Sequence, residues 1–238
     1  MAGSECALVR HFVSKAPAAV YYIPEFITPQ EETYLLNQVY GVPQTKWTQL
    51  SNRRLQNWGG LPHPKGMVLE DLPQWLKTYA DQIAKLEVFE GKVPNHVLVN
   101  EYEAGQGIMP HVDGPLYFPV VSTISLGSHT LLDFYAPMPI EDAVHVSQAA
   151  STSFEDRFMC SILLQPRSLV LVCEDMYKVY LHGIVERKAD TVTHDVANLE
   201  KCQGLTMGDC LDRARRVSLT IRHVPKTVKA KLLFGTKR

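Results

Sequence analysis

The chain has 238 residues, with Lys+Arg 24 against Asp+Glu 25 for a net charge of −1, and 45 % of it is hydrophobic. That mixture excludes disorder as the main state and, on the overall sum, speaks against a bulk electrostatic binder of nucleic acid or acidic membrane. No run approaches the roughly 20 apolar residues of a bilayer span, and the five cysteines, odd in number and without a CxxC pair, argue against a disulfide framework or a zinc ribbon.

In chain order, an apolar strand-like segment from residue 21 is followed by Thr28, Pro29, Gln30 and Glu31, a capping-box start with proline at the first helical position. Tyr34, Leu35, Leu36, Val39 and Tyr40 continue it as a helix. Residues 41–66, rich in Gly, Pro, Asn and Gln, read as loops or short strands. Leu72, Trp75, Leu76, Tyr79, Ile83 and Leu86 predict a second helix over 71–87. From residue 95 the texture changes to short apolar or alternating runs at 96–102, 120–126, 130–135, 158–164, 168–173, 178–184 and 216–224, separated by turn residues. The stretch 187–212 is polar and long for a loop, which makes it either a mobile cover or an excursion near a site. Many short strands behind a helical start predict an α+β, mainly β fold: a sandwich, barrel or jelly roll with N-terminal helices packed on one side.

The first chemical signal is His111 and Asp113. In extended backbone, residues i and i+2 point to one side, so imidazole and carboxylate converge; the pair also fits a turn aspartate beside a surface histidine. His182, at the end of an apolar strand pattern and followed by Gly183, supplies a candidate third ligand. Two imidazoles and a carboxylate suit Fe(II) with open positions, and equally a catalytic zinc. Over 216–222, Val217, Leu219 and Ile221 alternate with Arg216, Ser218, Thr220 and Arg222. The two arginines lie on one face, about 20 Å apart at the usual strand rise, and can bracket a short dicarboxylic acid; the pattern also fits a solvated edge strand. Leu98, Asn100 and Tyr102 share a face of the strand before His111, aiming an amide and a phenol the same way.

Together these residues resemble the AlkB family of Fe(II)/2-oxoglutarate dioxygenases. Asn100-Glu-Tyr102-Glu-Ala-Gly105-Gln-Gly-Ile-Met-Pro-His111-Val-Asp113 looks like that family's N-x-Y…G…H-x-D signature. Leu126-Gly127-Ser128 and Leu132-Asp133-Phe134 fit its next strands, Leu181-His182-Gly183-Ile184 its distal histidine, and Arg216 with Arg222 its R-x₅-R element. The matches keep the family's order over about 95–224. The resemblance implies a double-stranded β-helix (jelly-roll) core in which His111, Asp113 and His182 hold iron. It further implies that Arg216 pairs with the distal carboxylate of 2-oxoglutarate, that Asn100 and Tyr102 contact the cosubstrate, and that Arg222 sits near its iron-side carboxylate or Asp113. Ser218, between the arginines, is a further candidate. With O₂, such a site oxidises a substrate C–H bond and releases CO₂ and succinate; an N-methyl group so hydroxylated collapses to formaldehyde and free base. The sequence departs from the pattern at Pro115: some DNA-repairing members carry a second acid there to contact the base. Asp133 is the alternative carboxylate, read instead as a buried or rim aspartate.

Residues 52–60 resemble the lid through which the family grips nucleic acid, with Arg53 and Arg54 suited to phosphate and Trp58 to stacking a base or packing the lid. The expected organisation is one domain over 1–238: a helical and lid extension (1–94), the core (95–224) and a basic C-terminal end (225–238). Residues 213–238 hold nine Lys/Arg and no acid, so near-neutrality is an average over separated charge. The expected partner is DNA or RNA, single-stranded or with a flipped base. The expected setting is cytoplasm and nucleus, as a monomer without membrane contact. The alternatives are a dioxygenase of a protein or small molecule, and a nucleic-acid binder with little turnover.

Overall fold

The computed structural model describes residues 8–138 and 153–228. The basic C-terminal end beyond Val228 therefore lies outside the described residues. The strands before the undescribed segment are β1 (Val20–Ile23), β2 (Thr48–Leu50), β3 (Arg53–Trp58), β4 (Met67–Val68), β5 (His96–Tyr102), β6 (Ile108–His111), β7 (Val120–Leu126) and β8 (Thr130–Tyr135). After it come β9 (Phe158–Leu164), β10 (Leu169–Cys173), β11 (Leu181–Ile184), β12 (Ala189–Thr191), β13 (Cys210–Asp212), β14 (Arg216–Arg222) and β15 (Thr227–Val228). The α-helices are α1 (Pro29–Tyr40), α2 (Gln74–Ala84) and the short α3 (Glu174–Lys178). No helix among the described residues is long and apolar enough to cross a membrane.

Helix α1 starts where the sequence says it should. The Thr28 hydroxyl accepts from the Glu31 amide at 3.2 Å and the Glu31 carboxylate takes the Thr28 amide at 2.8 Å, a capping box worth about 1 kcal/mol. Helix α2 is shorter than the apolar pattern suggests. Pro73 disfavours helical backbone at the residue before it, so the helix begins at Gln74. Trp75, Leu76, Tyr79, Ala80 and Ile83 form its buried stripe.

Seven strands make a larger sheet in the order β1-β10-β7-β14-β5-β3-β2, and four make a smaller one in the order β6-β11-β8-β9. This is the mainly β jelly roll expected, with α1 and α2 packed on the outer face of the larger sheet. That face is built from alternate residues: Val97 and Val99 of β5, Ile124 and Leu126 of β7, Leu169 and Leu171 of β10, and Val217, Leu219 and Ile221 of β14. The sheet is not confined to residues 95–224, because β1 pairs with β10 and β3 with β5. Strand β14 lies between β5 and β7, and all seven of its residues are buried, so the solvated-edge reading of Arg216–Arg222 is wrong.

Residues 187–212 are not a mobile cover. They carry β12 and β13 and pack Val192 and Val196 against Leu131 and Leu163 of the smaller sheet. The buried Asn198 side chain closes both backbone bonds of Leu163, at 2.8 and 2.9 Å. The expected strand over 178–184 is shortened to β11, because residues 174–178 form the turn of α3 instead.

Candidate active site

Between the two sheets lies a cavity of about 240 Å³. Its floor comes from the residues of β5, β7, β10 and β14 that alternate with the helix-facing ones, and its roof from β6, β8, β9 and β11. Because side chains alternate across a strand, turning Val217, Leu219 and Ile221 toward the helices turns Arg216, Ser218, Thr220 and Arg222 inward. Asn100 and Tyr102 point into the same space.

At one end, His111 on β6 and His182 on β11 are cross-strand partners, and Asp113 follows just after β6. One donor atom from each of the three lies within 4.8 Å of the others, a set able to hold a metal ion. The ring centroids of the histidines are 4.6 Å apart. Nδ1 of His111 is 2.8 Å from the Met109 carbonyl, to which it donates, leaving the Nε2 lone pair free. Burial pushes His182 down to about 4, the neighbouring His111 and Arg222 push the same way, and Asp113 opposes them, so the ring is neutral and ready to ligate. Its Nδ1 is buried without a hydrogen-bond partner. Arg222 holds Asp113 through Nη2 to Oδ1 at 2.9 Å and Nε to Oδ2 at 3.2 Å, and also packs over the Tyr117 ring at 4.6 Å.

Gly183 allows the two histidines to meet. A Cβ there would fall 2.9 Å from both the Ile108 carbonyl oxygen and the Pro110 nitrogen. Gly183→Ala is therefore expected to push β11 off β6, costing about 1–3 kcal/mol of stability and weakening metal binding. Metal titration and thermal unfolding would check this, and unchanged values in both would refute it.

The other end belongs to Arg216. It is 4 % exposed, its Nη2 donates to the Ser125 hydroxyl at 2.9 Å, and its Nε is buried with no partner. No acid forms an ion pair with it among the described residues, and burial pushes the guanidinium down to about 10. The Asn100 carbonyl oxygen is likewise buried without a partner. A buried, unpaired cation across a cavity from a His-Asp-His set fits a small dicarboxylate, one end of which Arg216 would hold.

The remaining sequence candidates separate. Arg53 lines the cavity. Arg54 and Trp58, also expected at the substrate, do not: they fall on the opposite face of β3, as residues one and five positions along a strand must. Arg54 is ion-paired to Glu101 at 2.6 Å and stacked over Trp47, while Trp58 packs edge-on against Trp75 of α2 at 5.6 Å. Pro115 is exposed. Asp133 faces away from cavity-lining Leu132 and takes a 2.5 Å hydrogen bond from Ser161, so it is the buried aspartate the sequence reading preferred. Sequence reasoning missed Ser125 and Thr123, whose signal was two polar residues at alternate positions in an apolar run. It also missed Asn52, whose side chain donates to Glu186 and ties the β2–β3 turn to the segment after β11.

A two-sheet jelly roll with this set between the sheets is the architecture of a metal-dependent oxygenase, and the 2OG-Fe(II) oxygenase superfamily model matches residues 25–222. The chain belongs to that superfamily and is an Fe(II)- and 2-oxoglutarate-dependent dioxygenase; this resolves the iron and zinc alternatives in favour of iron. Within it, the chain is 54 % identical over 230 residues to the probable RNA/DNA demethylase ALKBH6 of Danio rerio, covering 97 % of this chain and 96 % of that protein, which places it in the AlkB family. The fold is shared with the solved structure of OsALKBH1 (TM-score 0.53, 13 % identity, 86 % of this chain and 97 % of that one). It is shared too with a Pseudomonas putida prolyl-4-hydroxylase (TM-score 0.51, 10 % identity, 91 % of this chain and 97 % of that one).

Proposed function

We propose that this dioxygenase removes N-methyl groups from nucleic acid bases, with His111, Asp113 and His182 as the iron ligands. In this reading Arg216, assisted by Ser218, Asn100 and Tyr102, holds 2-oxoglutarate. The observation that carries the substrate class is the 54 % identity, over 97 % of the chain, to a relative named as an RNA/DNA demethylase. Iron and 2-oxoglutarate supply, when bound, the oxidation of a C–H bond by O₂ with release of CO₂ and succinate. The chain's own residues do the rest. Arg216 fixes the far end of the cosubstrate by a charge-assisted pair. Arg222 holds both oxygens of Asp113, so that the carboxylate keeps its orientation toward the two imidazoles.

The cavity also limits the form of the substrate. The His-Asp-His set lies between two sheets in a space of about 240 Å³, too narrow for a duplex, so a base must be unstacked or single-stranded to reach it. The departure at Pro115 and the outward-facing Asp133 leave base contact to other side chains than the acid some DNA-repairing relatives use.

Incubation with iron, 2-oxoglutarate and methylated DNA and RNA oligonucleotides is expected to release formaldehyde, with loss of the methylated nucleoside by mass spectrometry. His182→Ala is expected to lower turnover by at least about 100-fold, since one of three ligands is lost. Succinate formed only with protein or small-molecule substrates would instead identify one of those as the target. Salt-sensitive binding without methyl loss would identify a binder.

A further inference from the structure

Beside the cavity, and sharing Arg53 with it, lies a polar groove of about 290 Å³, lined by Arg53, Arg54, Arg215, Glu101 and Glu103 with Gln49 and Gln106. Two of its three guanidiniums are already neutralised. Arg54 takes both oxygens of Glu101, at 2.6 and 3.0 Å, and Arg215 donates to Glu103 at 2.7 Å. Arg53 has neither an ion pair nor a side-chain hydrogen bond among the described residues, and its Nε is buried without a partner. It is also the residue shared by the groove and the cavity. The register explains why: Arg54 opposes Glu101 on β5, so the next position brings Arg53 opposite Tyr102, on the cavity face. Glu186 does not line the groove and is engaged by the Asn52 amide.

We propose that Arg53 is the phosphate-holding residue for the nucleotide whose base enters the cavity, the groove keeping the phosphodiester outside. This rests on the nucleic-acid reading above. Three cations against two carboxylates leave one net positive charge in the groove, which matches the single negative charge of a phosphodiester. A guanidinium presents two parallel N–H groups to phosphate oxygens, and partial burial strengthens the pairing relative to a solvated arginine. Arg54 and Arg215, held on carboxylates, shape the groove without adding to its charge.

The test is binding of a labelled single-stranded oligothymidylate of about ten nucleotides, measured by fluorescence anisotropy across a salt series. The protein carries 2-oxoglutarate and manganese(II) in place of iron. Arg53→Gln is expected to weaken binding roughly ten-fold at low salt and to lower the slope of log Kd against log salt by about 0.7, the loss of one phosphate contact. Arg53→Lys is expected to keep the slope, and so is the double variant Arg54→Gln/Glu101→Gln, which removes an ion pair and leaves the groove's net charge as it is. If the unaltered protein binds but Arg53→Gln keeps the full slope, the phosphate role is wrong while the nucleic-acid reading stands. An equal fall in Arg54→Gln/Glu101→Gln also overturns the assignment, because the whole groove would then be acting. So does a loss of 2-oxoglutarate affinity in Arg53→Gln with an unchanged slope, since Arg53 would then serve the cosubstrate. If the unaltered protein does not bind the oligonucleotide at all, the nucleic-acid reading itself fails.

Discussion

Replacing Arg216 by methionine is expected to weaken 2-oxoglutarate binding by roughly 100-fold or more, to leave metal binding in place, and to make the ligand-free protein no less stable. The three outcomes share one cause. Arg216 is buried with only neutral neighbours, the Ser125 hydroxyl on Nη2 and the Tyr102 ring 5.9 Å away, and an unsatisfied Nε. A charge in that position is costly until an anion arrives, and burial has pushed its protonation down to about 10. The cosubstrate's distal carboxylate is that anion. Methionine fills similar volume without a charge, so the empty protein is relieved of an uncompensated cation. The stabilisation from bound cosubstrate, about 2.7 kcal/mol at 100-fold excess over Kd, disappears. Calorimetric unfolding with and without 2-oxoglutarate, alongside a metal titration, reads all three. Unchanged cosubstrate affinity would sink the assignment of this end of the cavity.

Arg222 occupies the same face of the same strand and does the opposite work. Its guanidinium is committed to Asp113, which it meets with two hydrogen bonds. One arginine therefore waits for a ligand while the other shapes the ligand set. This division could not be read from spacing, because both are arginines at alternating positions of one amphipathic strand.

That strand shows what the sequence could and could not reveal. Period-two alternation correctly sorted Arg216, Ser218, Thr220 and Arg222 onto one face. It could not say whether that face met water or a cavity, because the answer depends on β5 and β7 flanking it. The capping box at Thr28 and Glu31 was legible because its physics is local. The metal set was legible because His111 and Asp113 are two residues apart and the ordered AlkB-like motifs supplied His182. Spacing could not separate Arg53 from Arg54 and Trp58: residues 41–66 read as loops or short strands, and only the pairing of β3 with β5 sends neighbours to opposite faces, with Trp58 packed on Trp75 in the packing role the sequence also allowed. Similarly, residues 187–212 have a polar composition typical of an exposed loop. Yet two of their polar side chains are turned inward as partners: Asn198 on the backbone of Leu163, and Asp190, 1 % exposed, gripped by Arg213 at 2.7 and 2.8 Å and by Arg187 at 2.7 Å. Composition does not distinguish a polar residue facing solvent from one facing a buried counter-charge.

The metal-free protein is expected to lose stability steeply as pH falls from about 6.5 to about 4, with His96 and His182 each contributing. Burial is the first cause for both rings, and each is pushed down to about 4; Arg222 pushes both the same way while Asp113 opposes it. Between those two values the unfolded chain takes up protons on these rings and the folded chain does not. Stability therefore falls with falling pH across that window and levels off below it. A shift of this size corresponds to roughly 3 kcal/mol per ring. His96 is the cleaner probe, because it is 1 % exposed, both of its ring nitrogens lack partners, and it sits on β5 opposite Arg222 rather than in the ligand set. His96→Phe keeps a planar ring beside Tyr117, whose centroid lies 5.8 Å away, and removes the proton site. Urea unfolding at pH 7.5 and pH 5 should show a smaller difference in this variant than in the unaltered protein. An identical difference in both would mean that His96 is not held neutral by the fold. A neutral His96 also matters to the site, since a second cation there would compete with Arg222 for Asp113 and loosen the carboxylate from the position in which it faces the two imidazoles.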